Sequence, residues 1–356
     1  MDHEGRVARV REALEGSAAD ALLVTNLTNV RYLCGFAGSN GQLLVTSSAA
    51  TFFTDPRYRA RAGDLVQGAE IVVYDQDLKD ELGPAAAGIG KLGIEATSMT
   101  VAQRDHLAQK LEGVELVSTK NVVEELRRRK DAEEIALLRE AARIGDEALA
   151  WVLERLGPGR SEREVALELE VEMRRRGADS VAFEPIIGSG PLSAHIHHTP
   201  SDREIANGDL VLLDLGAKWH GYCSDLTRTV AIGPAAGHHR DVYAVVLAAQ
   251  AAGIAAVGPD RTGVECDAAA RRVIDDAGYG ATFGHGLGHG VGLDIHEAPR
   301  LHKTSEDTLA VSDVVTVEPG IYETGIGGIR IEDCVLVTEE GSEELGKAPK
   351  DDLIEI

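Results

Sequence analysis

The sequence predicts two domains of different class, an α/β domain over residues 1–120 and an α+β domain over 131–356, joined by a linker at 121–130. Three observations carry this. A chain of 356 residues would stretch a single hydrophobic core. Helix-like and strand-like runs alternate through the first 120 residues, as an α/β domain requires. Beyond them come capped helices, then strand-like runs that include an antiparallel hairpin.

In the first domain, Val7–Leu14 reads as a helix, Ala21–Thr25 as a strand, and Gln42–Thr46 with Thr51–Thr54 as a strand pair. Ile71–Tyr74 and Glu115–Ser118 are further strands, and Thr100–Leu111 is a helix. The glycine-punctuated segment Asn29–Gly41 reads as a loop. Val122–Lys130 is a charged junction. A long helix starts after Asp131, where Asp131 and Glu134 are spaced as a capping box, and Gly157-Pro158-Gly159 ends it. Ser161 and Glu164 repeat that spacing and open a helix to about Arg176, with Leu167, Leu169 and Met173 on it. Val181–Ile187 reads as one strand, 240–257 and 263–276 as helices, and Val314–Glu318 and Gly328–Thr338 as closing strands.

The hairpin lies in Leu210–Val230, where two apolar runs meet at His220-Gly221. A tight two-residue turn favours glycine at positive φ. If Trp219 pairs with Tyr222, Gly216 falls opposite Asp225, and Asp214 shares a face with Asp225. Same-face diagonal neighbours lie roughly 7–8 Å apart, a span that one or two metal ions can bridge. Taken alone, the pair reads equally well as aspartates facing water.

Three other polar residues sit in or at the end of apolar runs: His289 in GHGLGHGVG, Glu318 in VVTVEPG and Glu332 in GIRIEDCVLV. A carboxylate in such a run faces solvent, pairs with a cation or binds metal, because burying it alone is costly. Arg330 shares a face with Glu332 by alternation, so an ion pair is one reading of Glu332. As a set, four carboxylates and one imidazole match a dinuclear divalent site, whose four positive charges they cancel. Oxygen-rich ligation with a single nitrogen suits Mn, Co, Fe or Zn. A second histidine cluster, His195, His197 and His198, would be poorly preorganised as a metal site on one loop.

Composition narrows the partners. A net charge of −23 repels nucleic acid and anionic membranes alike. The N-terminal segment is charged throughout, with no signal-like apolar stretch, and Ala244–Val257 is too short to span a bilayer. Four dispersed cysteines suit reduced thiols, so the expected compartment is the cytoplasm.

These motifs, in order, resemble the proline-specific metallopeptidases, Xaa-Pro dipeptidase (prolidase) and Xaa-Pro aminopeptidase. NVRYLCGFAGSNG and FFTDPRY resemble the creatinase-like N-terminal domain of that family, and LRRRKDAEEI the entry to its pita-bread catalytic domain. IIGSGPLSAHIHH, LDLGAKWHGYCSDLTRTV, GHGLGHGVGLDIHEAPR, VEPGIY and GIRIED resemble its catalytic motifs. The resemblance covers nearly the whole chain. It implies two divalent metal ions per chain, manganese first, with Asp214 on one ion, Asp225 and Glu332 bridging, and His289 and Glu318 completing the other. His197 and His296 match the outer histidines that bind the scissile carbonyl or steady the tetrahedral intermediate. Glu318 is the proton shuttle, Arg330 orients the ligands, and Arg300 matches a position that grips a substrate carboxylate. One departure is Ile196, preceded by His195, where the family usually carries proline before the first outer histidine.

The implied activity is hydrolysis of the Xaa-Pro bond in short peptides, by a dipeptidase or, alternatively, an aminopeptidase acting on longer ones. The resemblance also implies a homodimer. The extra N-terminal domain counts against methionine aminopeptidase, and the intact ligand set counts against creatinase and against a non-catalytic interaction protein of this fold.

Overall fold

A computed structural model describes residues 1–356, apart from the side chain of Lys79. The chain divides into two compact units, Met1–Arg127 and Arg128–Ile356.

The first unit is built on a six-stranded mixed sheet. Its order is Glu70–Val73, Ala50–Thr54, Gln42–Val45, Ala21–Val24, Lys91–Glu95 and Glu115–Thr119. The strand Lys91–Glu95 escaped the sequence reading because Gly93 interrupts its apolar pattern. A Cβ at this glycine would lie 3.1 Å from the Ala21 carbonyl oxygen of the parallel neighbour, a tight fit that glycine avoids. Asn29–Gly41 is also not the loop expected. Its first half belongs to the helix Leu27–Cys34, which Asn26 caps by accepting from the Thr28 N–H at 2.9 Å. Gly35, at φ 81°, closes that helix. The junction is helical as well, over Val122–Arg128, with Val123 and Arg127 buried.

In the second unit the helices Ala132–Leu153 and Glu162–Arg175 begin at Asp131 and Ser161, and both capping boxes form. Their apolar faces cover strands Leu210–Leu215 and Leu226–Ala231 through Ile144, Leu149, Val165, Leu169, Leu213 and Leu215. Leu167 faces away from this core and is exposed. A second core joins the helices Gly237–Ala256 and Gly263–Asp276 to strands Val314–Val317 and Asp333–Thr338. Each large apolar side chain fully buried in these layers contributes about 1.5–3 kcal/mol.

Every strand pair in this unit is antiparallel, but the sheet is divided into segments. Two of the breaks correct the sequence reading. Val181–Ile187 is not one strand but two, Ser180–Val181 and Ile186–Ser189, in different segments. Gly328–Thr338 likewise splits into Gly327–Arg330 and Asp333–Thr338, with Glu332 at the break. There the Glu332 N–H donates to the Thr227 carbonyl at 3.1 Å, joining two segments through one isolated bridge.

Candidate metallopeptidase centre

The hairpin folds in the expected register, Trp219 opposite Tyr222, with strand pairing continuing to Asp214 opposite Thr227. Its turn places both central residues at positive φ, His220 at 45° and Gly221 at 87°. The histidine is accommodated with its ring edge-on to Trp219, 4.6 Å between centroids. Leu213, Leu215, Leu226 and Val230 turn into the helix-covered core, so alternation sends Asp214, Asp225 and Thr227 to the opposite face. The same logic operates on Val314–Val317. Val315 and Val317 enter the other core, and Thr316 and the following Glu318 are left for the site.

The two faces enclose a cavity of about 770 Å³. All nine site residues expected from the sequence line it: His197, Asp214, Asp225, His289, His296, Arg300, Glu318, Arg330 and Glu332. One oxygen each from Asp225 and Glu332 and one nitrogen of His289 lie within 4.8 Å of one another. The His289 Nε2 is 3.6 Å from Asp225 Oδ2 and 3.4 Å from Glu318 Oε1. Its Nδ1 lies 3.1 Å from the Gly290 carbonyl, which can only accept, so Nε2 is left with its lone pair facing the carboxylates. Burial lowers the pKa of His289 and keeps it neutral.

Burial also raises the carboxyl groups. Asp225 and Glu332 stand well above the ordinary carboxylate range, through desolvation and then repulsion from their neighbours. Glu318 is pushed up to about 7, first by burial. The cation that offsets part of this charge is Arg330, but its direct partner is not Glu332 as alternation suggested. The Arg330 Nη2 donates to Asp214 Oδ2 at 2.5 Å, because the break after Arg330 turns Glu332 elsewhere. Glu332 is reached through Thr227, whose hydroxyl donates to Glu332 Oε2 at 2.6 Å and accepts from Arg330 Nε at 3.0 Å. Tyr322 completes the support, accepting from Arg330 Nη1 at 3.0 Å, with its hydroxyl 2.9 Å from His285 Nε2.

Thr227 and Tyr322 were missed in the sequence. Thr227 was findable, since the hairpin register sets it opposite Asp214; Tyr322 closes the motif VEPGIY, but nothing in that motif gives it a partner. His285 belongs to this supporting layer, its pKa lowered to about 4 by burial. In the 195–198 cluster, His198 Nε2 lies 2.8 Å from Glu162 Oε2.

The donor set fits divalent metal. Four buried or half-buried carboxyl groups face one guanidinium and a neutral imidazole, so their ionised forms need further positive charge. Asp214 Oδ1 is buried without any hydrogen-bond partner, as an oxygen reserved for a cation would be.

Comparison with known proteins decides the family. Residues 136–339 match metallopeptidase family M24, and residues 6–129 match the creatinase/prolidase N-terminal domain. The chain belongs to metallopeptidase family M24. An uncharacterized peptidase of Bacillus subtilis, YqhT, is 42% identical over 98% of this chain and 99% of its own length. The Xaa-Pro dipeptidase of Pyrococcus horikoshii is 37% identical over 97% of this chain and 98% of its own. Among solved structures, an Xaa-Pro dipeptidase from Bacillus anthracis superposes with a TM-score of 0.97 at 42% identity, covering 99% of this chain and all of that one. An X-Pro aminopeptidase from Thermotoga maritima superposes at 0.90 with 32% identity, covering 97% and 100%. The M24 protein therefore has the creatinase-like and pita-bread architecture expected. Among the described residues no helix is long and apolar enough to cross a membrane.

Proposed function

We propose that this M24 peptidase hydrolyses the Xaa-Pro bond of short peptides as a dipeptidase, with two divalent ions held by Asp214, Asp225, His289, Glu318 and Glu332. The observation that carries the reading is the convergence of these donors with His197, His296 and Arg300 in one cavity. The full-length relatives named Xaa-Pro dipeptidase support the choice of substrate.

In this reading Asp214, Asp225, His289, Glu318 and Glu332 would together hold the two ions. Bound there, the ions would supply Lewis acidity and a water that ionises near neutral pH. His296 and His197 then face the scissile carbonyl and donate to the oxygen that becomes negative. Glu318 carries the proton of the attacking water to the departing proline nitrogen, which has no hydrogen of its own in the tertiary amide. Arg330 fixes Asp214, and through Thr227 it fixes Glu332.

Manganese is our first choice of metal, since carboxylates dominate the donor set, with cobalt, zinc and iron as alternatives. The cytoplasm is the proposed compartment, supported by four buried cysteines dispersed through the chain. We also take the active form to be a homodimer, on family resemblance. The test is metal-stripped protein reloaded with Mn, Co or Zn and assayed on an Xaa-Pro dipeptide, with Asp225→Asn in parallel. Reloading should restore turnover with about two ions per chain, and Asp225→Asn should abolish it without unfolding the protein. Near-normal turnover by Asp225→Asn would refute the ligand assignment.

A further inference from the structure

We infer that Glu162, which lines no part of the cavity, is the positioning residue that aims His197 at the substrate. The inference rests on His197 acting on substrate as proposed above.

Glu162 is the first residue of the helix Glu162–Arg175 and is fully buried. Its carboxylate brackets the segment that carries His197. Oε1 accepts from the backbone N–H of Ser189 at 2.8 Å and from its hydroxyl at 2.7 Å, just where the strand Ile186–Ser189 ends. Oε2 accepts from the Ser201 N–H at 3.0 Å and the Ser201 hydroxyl at 2.6 Å, and lies 2.8 Å from His198 Nε2. One side chain thus ties down both ends of the 190–200 segment and also the neighbour of His197. Burial opposes ionisation of Glu162, but the hydrogen bonds of Ser189, Ser201 and His198 hold its carboxyl below the ordinary value. A carboxylate holding that many donors is a rigid post.

The rest of the segment is fixed independently. The Ser193 hydroxyl donates to the Gly190 carbonyl at 2.6 Å and accepts from the Gly328 N–H at 2.8 Å. Between these anchors, Ile196 and His197 reach the cavity while the exposed His197 makes none of the bonds that hold the segment. His197 therefore inherits its aim from its neighbours, and five of the hydrogen bonds that hold them end on Glu162. No other carboxylate faces both ends of this segment among the described residues.

The test is a double-mutant cycle between Glu162→Gln and His197→Ala, read on kcat and KM with metal content and melting temperature recorded for each variant. Glutamine keeps the volume but cannot accept at both ends. Glu162→Gln should lower kcat/KM about 10–100-fold, the usual effect of a misplaced catalytic group, in protein that is folded and fully metal-loaded. In the His197→Ala background the same change should lower it less than about twofold, because the group being aimed is gone. If Glu162→Gln does not fold, Ser201→Ala and His198→Ala each remove one restraint and should show the same non-additivity with a smaller loss. Fully additive losses would overturn the positioning role and leave His197's own role intact. Unimpaired turnover by His197→Ala would instead remove the role of His197, and this inference with it.

Discussion

The Arg330 guanidinium donates to the Asp214 carboxylate at 2.5 Å, and both groups are buried beneath the cavity. Arg330 is the only cation placed directly against the carboxylates of the centre among the described residues, and burial alone would favour their protonation. Replacing it with methionine strands Asp214 beside three other acids. Breaking a buried pair in this way costs about 3–5 kcal/mol. Metal-free Arg330→Met should therefore unfold at markedly lower denaturant than the metal-free parent. Added divalent metal should recover part of the loss, because it replaces the missing positive charge. A denaturant midpoint unchanged by the substitution would contradict the role given to this pair.

His289 depends on a backbone contact as much as on its ring. A Cβ at Gly288 would lie 2.0 Å from the Thr316 carbonyl oxygen of the neighbouring strand, a contact no side-chain rotation relieves. Gly288→Ala should push the His289 strand away from Thr316 and Glu318. Overpacking of this kind costs about 1–3 kcal/mol. Metal affinity should fall with stability, as calorimetric titration with Mn would detect; unchanged affinity would show that the strand can shift without cost to the site.

How much of this was legible in the sequence follows from how local each signal is. The capping boxes at Asp131 and Ser161 formed as read, because their partners are three residues apart. The hairpin register followed from one turn dipeptide, and it set Asp214 and Asp225 on one face. The bend at Glu332 was not legible, since Gly328–Thr338 is apolar enough for one strand and the bridge to Thr227 that breaks it is 105 residues distant in sequence. The partner of Arg330 was misread for the same reason. Glu162 carried no mark beyond a helix N-terminus, because its five donors come from 27 to 39 residues away.

Metal removal should make stability fall with rising pH. Asp225, Glu332 and Glu318 have folded values raised above the unfolded carboxylate value of about 4, Glu318 to about 7. A group raised in this way stabilises the fold fully below its unfolded value, and the contribution is lost as pH rises through the folded value. Chelator-treated protein should thus lose stability from about pH 4 upward, through and beyond pH 7. Metal binds the ionised forms, so the gain in melting temperature on adding Mn should grow over the same range. A gain equal at pH 5.5 and 8 would argue that metal binds elsewhere.

Arg300 offers the means to separate a dipeptidase from an aminopeptidase. It lies opposite His289 across a strand pair, lines the cavity and is exposed. Its backbone N–H donates to Asp307 at 2.8 Å, and its guanidinium has no protein partner among the described residues. A free planar fork at the mouth of a peptidase cavity suits bidentate capture of a carboxylate. An Xaa-Pro dipeptide carries its C-terminal carboxylate directly on the departing proline, whereas a tripeptide moves that charge one residue away. Losing charge-assisted bonds of this kind costs about 1.5–3 kcal/mol. Arg300→Ala should therefore lower kcat/KM for the dipeptide by roughly 10–150-fold, and for an Xaa-Pro-Xaa tripeptide much less. The loss should appear mainly in KM, because the carboxylate is gripped equally before and during bond cleavage. Equal losses on both peptides would mean that Arg300 does not read the substrate's C-terminus, and the dipeptidase reading would lose its structural support.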